Sequence, residues 1–271
     1  MLVKGTTVQG YSLPLSDTGK SSLVEKPPWY FGGDGIEVIY RTNIESFRKF
    51  VPYPLEVSEL NGVVSITMVD MTSVSSEDMA YLHPEKTQYK ECLIKFHCKY
   101  KGKQGWYVPL TWVDKDFSLL RGFLLGFGKK MGQINITKLH NLNSLIGSQR
   151  KGTMMKAVCE SFNGIHVEIN LELLEQTEKD EYAGNSMFVM RHYPDIHDAN
   201  EVSVHELIEL VVDQAVKTDI WKANGDVRIE SFSDEEISVL QPKEILAART
   251  FSEGFVLHGG KVLYRFNESE L

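Results

Sequence analysis

The chain has 271 residues, 42% hydrophobic and 24% charged, with a net charge of -8. This is the profile of a soluble globular protein of one large domain or two small ones. Dispersed Lys and Arg in an acidic chain argue against nucleic-acid binding, which needs a basic surface to neutralise phosphate, and against anionic membranes. The sparse set Cys92, Cys98 and Cys159 forms no disulfide framework and no zinc spacing; these residues read as small core hydrophobes in a reducing, cytoplasmic compartment.

In chain order, the opening MLVKGTTVQGYSLPLS is too often interrupted for a signal-peptide core. No later run approaches the ~20 apolar residues of a membrane span. The segment to Lys26 reads as a polar arm. Pro27-Pro28 closes it in extended backbone, and Trp29, Tyr30 and Phe31 give it an apolar anchor. Strands are expected at 36–41, 62–71, 91–100 and 106–113, the last two as a hairpin around Lys-Gly-Lys-Gln-Gly. In 91–100, Leu93, Lys95 and His97 face opposite to Ile94, Phe96 and Cys98. Further strands are expected at 133–140, 153–160 and 164–174, the last pair turning at Phe162-Asn163-Gly164. The remaining strand candidates are 186–192, 226–232 and 255–266. Helices are expected at 43–50, 116–127 and, most clearly, 204–220, where apolar residues recur at helical spacing behind a Ser203 cap. Many antiparallel strands with few helices predict an α+β domain built on a large sheet or barrel able to enclose a ligand.

The segment Arg121-Gly-Phe-Leu-Leu-Gly-Phe-Gly-Lys129-Lys130-Met-Gly132 carries the chemistry. A Lys pair after an apolar run is either a solvated helix end, favoured by glycine caps and the helix dipole, or a functional pair. A phosphate loop is excluded, because Lys130 stands where Ser or Thr is required. A lysine attacks a ketone only as the neutral amine, and desolvation or a nearby cation favours that form. The resulting iminium draws electrons from a breaking bond. Adjacent side chains diverge, so Lys130 need not touch Lys129, and desolvation is the stronger candidate cause.

The chain resembles the acetoacetate decarboxylase family. The resemblance rests on ordered landmarks: Pro27-Pro28-Trp29, Tyr40-Arg41-Thr42, Val51-Pro-Tyr-Pro-Leu-Glu56, Tyr89-Lys-Glu91, Gly-Lys129-Lys130-Met-Gly132 and Val262-Leu-Tyr264. It implies one domain over 1–271 with an N-terminal arm (1–26), a cone-like, mainly antiparallel β-barrel with a few outer helices, and a homo-oligomer. It implies Lys129 as the Schiff-base residue, Lys130 as its basic neighbour and Glu91 as an active-site carboxylate. It implies no cofactor. The substrate it implies is a small keto acid, with decarboxylation to a ketone and carbon dioxide as the expected reaction. The family's arginine after the Pro-Pro entry is replaced within Gly32-Gly33-Asp34, its strand glutamate by Ser65, and the proline before the lysines by Gly128. An aldolase–dehydratase using the same lysine, with Tyr264 binding substrate or serving as acid or base, is therefore the alternative. A non-catalytic ligand-binding barrel is the third reading.

Among the histidines, His192 and His197 fall in a polar loop rather than a metal site, and His205-Glu206 lacks the second histidine of a zinc protease. His97 and His166 are expected to be satisfied within the sheet. No Gly-x-Ser-x-Gly nucleophile motif occurs.

Overall fold

The computed structural model describes residues 7–181, 186–232 and 236–266. Its strands are Trp29–Arg41 (β1), Glu56–Val57 (β2), Val63–Val74 (β3), Gln88–Tyr100 (β4), Lys103–Val113 (β5), Lys129–Met131 (β6) and Gln133–Ile136 (β7). Beyond them lie Met154–Ser161 (β8), Gly164–Thr177 (β9), Ser186–Pro194 (β10), Val202–Ile229 (β11) and Glu244–Arg265 (β12). The α-helices are Ile44–Arg48 (α1), Met79–Leu82 (α2) and Asp116–Leu125 (α3).

All strands join one sheet, in the order β10-β5-β4-β3-β1-β12-β11-β9-β8-β7. An added β10–β11 pairing closes the first seven of these into a ring. Among the described residues, only the β10–β5 and β5–β6 pairings are parallel. The remainder of long β11 leaves the ring and pairs with β9, carrying β8 and β7 as a wing. The fold is thus α+β: a mainly antiparallel barrel with a few helices.

Alternation along the ring strands divides the interior in two. Ile36 and Val38 of β1, Ile66 and Met68 of β3, and Ile94 and Phe96 of β4 are buried against wing residues such as Ala157 and Ile169. Val69, Met71, Tyr89 and Leu93 belong to a second apolar cluster with Phe251 and Leu257 of β12. The two-residue period that places Ile94 outside the ring therefore sends Glu91, Leu93 and Lys95 into its cavity.

The helix expected at 204–220 is strand: these residues form much of β11. Its pairing with β12 shifts register between Leu207/Ile208, Leu210/Val212, Asp213/Val216 and Thr218/Trp221. At the last two of these β11 carries the extra residue, which breaks its two-residue period, so the apolar positions drift into a spacing that imitates a helix. Its several valines favour strand. The bulges include Gln214 and Asp219, both at positive φ. The other two expected helices are present. Asn43 caps α1 by accepting from the Glu45 N–H at 2.9 Å. Gly126 ends α3 in the left-handed conformation, φ 106°, which glycine adopts without a Cβ penalty.

The three cysteines are buried free thiols. His97 is buried beside the Ser58 hydroxyl at 2.7 Å, and His166 lies 2.5 Å from that of Ser161. No helix among the described residues is long and apolar enough to cross a membrane.

Candidate active site

Lys129 opens β6, which pairs in parallel with β5 at Thr111–Val113 and comes directly after α3. Its side chain points into the ring cavity and is 5% exposed. Nζ donates to Glu91 Oε2 and to Ser118 Oγ, both at 2.9 Å. The rings of Phe127 and Tyr89 stand 5.3 and 5.6 Å from the ammonium. Glu91 comes from β4 and Ser118 from α3, so three elements fix the nitrogen.

Two glycines make the approach possible. A β-carbon on Gly128 would meet the Pro109 carbonyl oxygen at 2.2 Å. Glycine at this position therefore lets the chain entering β6 lie close against β5. On Gly122, a β-carbon would stand 2.4 Å from Lys129 Cδ. The glycine that weakens α3 as a helix thus makes room for the lysine stem.

Burial pushes the Lys129 amine below the ordinary lysine range, the Arg121 guanidinium lowers it further, and Glu91 opposes both. Arg121 takes the part of nearby cation expected of Lys130. It lies one turn beyond Ser118 on α3, boxed by Trp29, Phe31, Tyr89 and Phe117 with ring centres 4.9–5.7 Å from its guanidinium carbon. One nitrogen donates to Ser73 Oγ at 2.7 Å; Nη2 is buried with no hydrogen-bond partner among the described residues. A buried guanidinium with an unpartnered nitrogen, on a residue that lines the cavity, has donor capacity that suits a carboxylate.

The cavity is about 520 Å³, within the ~300–1,000 Å³ typical of small-molecule sites. Lys129, Glu91 and Arg121 line one part of it, with Leu93 and Val69 beyond them, then Lys95 and Glu37.

A profile of the acetoacetate decarboxylase family matches residues 12–266. The chain belongs to the acetoacetate decarboxylase family. Acetoacetate decarboxylase 1 of Bradyrhizobium diazoefficiens is 21% identical over 268 residues, covering 98% of this chain and 97% of that protein. The fold is shared with an acetoacetate decarboxylase-like enzyme from Sphingomonas wittichii RW1 (TM-score 0.88, 25% identity, 95% of this chain and 100% of that one). It is also shared with the enduracididine biosynthesis enzyme MppR complexed with pyruvate (TM-score 0.89, 24% identity, 97% and 100%).

Of the residues the family resemblance points to, Lys129 and Glu91 meet in the cavity. Lys130 does not join them: as the next residue on β6 it faces the other way and is exposed. Tyr264 is half-buried against Tyr53 and Phe266, with centroids at 5.6 and 5.0 Å, and lies outside the cavity wall. Arg121 and Ser118 were not singled out from sequence. Their signal was a polar i, i+3 pair on the face of α3 that also carries Phe117 and Leu125.

Proposed function

We propose that this member of the family forms a Schiff base between Lys129 and the ketone of a keto acid whose carboxylate is held by Arg121. The observation that carries the reading is the dry Lys129 amine, fixed at 2.9 Å by both Glu91 and Ser118 in a cavity also lined by Arg121, whose Nη2 has no partner among the described residues. The same burial weighs against a carrier barrel, for which an exposed, ordinarily protonated lysine is expected.

Glu91 takes the ammonium proton, and the freed amine attacks the carbonyl carbon. The N–C bond forms, Glu91 returns its proton to the carbinolamine hydroxyl so that water leaves, and the carboxylate thus regenerated is the counter-charge of the iminium nitrogen. Electrons from a bond at the adjacent carbon then flow into the iminium, giving an enamine. Two bonds compete for that role. Loss of carbon dioxide is the reaction for which the family is named. Loss of a C–H proton to Glu91 leads instead to condensation with an aldehyde and dehydration. The Arg121 contact favours the second, because a guanidinium that holds the ground-state carboxylate stabilises the group decarboxylation would have to lose. MppR, whose fold is shared, has also been observed with the condensation product of pyruvate and imidazole 4-carboxaldehyde.

The test is borohydride reduction of the protein with pyruvate and with acetoacetate, read by intact mass and peptide mapping. A reduced adduct on Lys129, absent in Lys129→Gln, is expected. No adduct with any keto acid removes the reading. Carbon dioxide release from acetoacetate, against aldehyde consumption with pyruvate, separates the two routes.

A further inference from the structure

Beyond Leu93 and Val69, the cavity wall carries a second group of charged side chains. Glu37 of β1 is 2% exposed at its side chain. One of its oxygens accepts from Ser65 at 2.6 Å, Thr67 at 3.0 Å and Lys95 at 2.9 Å. The other accepts from Arg249 Nε at 2.8 Å and pairs with Nη2 at 2.7 Å. The remaining Arg249 nitrogen donates to Asp180 at 2.6 Å. Lys217 stands 3.5 Å from Asp180 and 3.7 Å from Glu253, with its ammonium 4.0 Å above the Phe251 ring.

The hydrogen-bond capacity of this group is unevenly spent. The Glu37 oxygens are taken up by Ser65, Thr67, Lys95 and Arg249, and Arg249 spends three of its five N–H groups on Glu37 and Asp180. An ammonium carries three N–H donors. Lys95 gives one to Glu37, and Lys217 makes no hydrogen bond among the described residues. These two ammonium groups therefore keep donors to spare at the cavity wall. Glu253, also on the wall, is held above the usual carboxylate range by burial, which Lys217 and Lys95 oppose and Glu37 and Glu91 reinforce.

The two polar ends are separated by an apolar belt. Glu91 and Lys95 are four residues apart on one face of β4, about 13 Å of strand at ~3.3 Å per residue, with Leu93 between them. A cavity of about 520 Å³ is far more than a three- or four-carbon acid fills.

We propose that the keto acid carries a second carboxylate at the end of an aliphatic chain, received by Lys95 and Lys217 while its keto group meets Lys129. The substrate class is thus an extended keto dicarboxylate. This rests on the Schiff-base reading and adds the distal anchor to it. The apolar belt contacts the methylene chain, and the spare ammonium donors replace the water stripped from the far carboxylate.

The experiment uses the full chain and borohydride trapping at Lys129, with chain-matched pairs: 2-oxohexanoate against 2-oxoadipate, and 2-oxooctanoate against 2-oxosuberate. The dicarboxylate of each pair is expected to half-saturate trapping at a concentration at least about tenfold lower, since charge-assisted hydrogen bonds discriminate by that much or more. The readout in variants is that ratio. It is expected to collapse toward unity in Lys217→Met and in Lys95→Met, and to be largely kept in Lys217→Arg. Should either methionine variant fail to fold, the other and the wild-type ratio decide. Trapping of both members of a pair at equal concentration, or a ratio unchanged in the methionine variants, overturns the distal anchor and leaves the Schiff base standing. No adduct with any of the four acids, nor with pyruvate or acetoacetate, removes both.

Discussion

Gly122 and Lys129 are fitted to each other: a β-carbon at position 122 would stand 2.4 Å from Lys129 Cδ, 2.7 Å from Cγ and 2.8 Å from Cε. Gly122→Ala is therefore expected to separate stability from activity. As a helix former, alanine gains up to about 1 kcal/mol over glycine in α3. The lysine stem must move aside, and a displacement near 1 Å can lower the rate by about 10²-fold. Thermal melting close to that of the wild type together with a large loss of Lys129 trapping is the expected pair of results. Trapping at the wild-type rate would mean that the stem has another place to lie.

The charges around Lys129 predict opposite pH shifts. Burial and Arg121 lower its pKa, while Glu91 raises it. Removing Glu91's charge in Glu91→Gln takes away the support of the ammonium, so the pKa falls further and the rising limb of trapping against pH moves to lower pH. Arg121→Met removes a repulsion, and the limb moves to higher pH, with weaker keto-acid binding besides. Rates of borohydride trapping from pH 5 to 9 measure both; limbs moving in the same direction would contradict the arrangement.

Lys130 offers a contrast within the same dipeptide. It pairs with Trp112 on the parallel partner strand and is exposed. Lys130→Gln is expected to change turnover by less than about threefold, because water and salt screen an exposed charge. Lys129→Gln should abolish turnover. A comparable loss in both variants would show that the second lysine acts on the first through the sheet.

Much of this was legible in the sequence where the two-residue period runs undisturbed. In β4 the alternation of Leu93 and Lys95 against Ile94 and Phe96 already divided cavity from core, and Glu91 falls in step with it. The apolar approach alone left Lys129 open between a solvated helix end and a functional residue, and the ordered landmarks of the family resemblance singled it out. The failure at 204–220 came from bulges, which are set by pairing with β12 and leave no local mark except a drifting period. Arg121 escaped notice because its box is assembled from β1, β4 and α3. The link between Glu37 and Arg249 spans 212 positions and has no local signature at all.

That link also predicts how the protein responds to acid. Burial alone would raise the Glu37 carboxyl, but Lys95, Arg249 and Lys217 override it and hold the group well below the usual range. A carboxylate with a depressed folded pKa stabilises the fold fully above its unfolded value of about 4.3, and that stabilisation is lost as pH falls from there toward the folded value. Glu37→Gln removes one partner of a buried pair and leaves the Arg249 guanidinium with Asp180 alone, a change that costs about 3–5 kcal/mol. Urea unfolding at pH 7 should reveal most of this loss. At pH 3 the difference between wild type and variant should be smaller, because the wild-type chain must then hold Glu37 charged against a proton that its unfolded state already binds. An equal difference at both pH values would mean that Glu37 acts through shape and hydrogen bonding, with its charge contributing little.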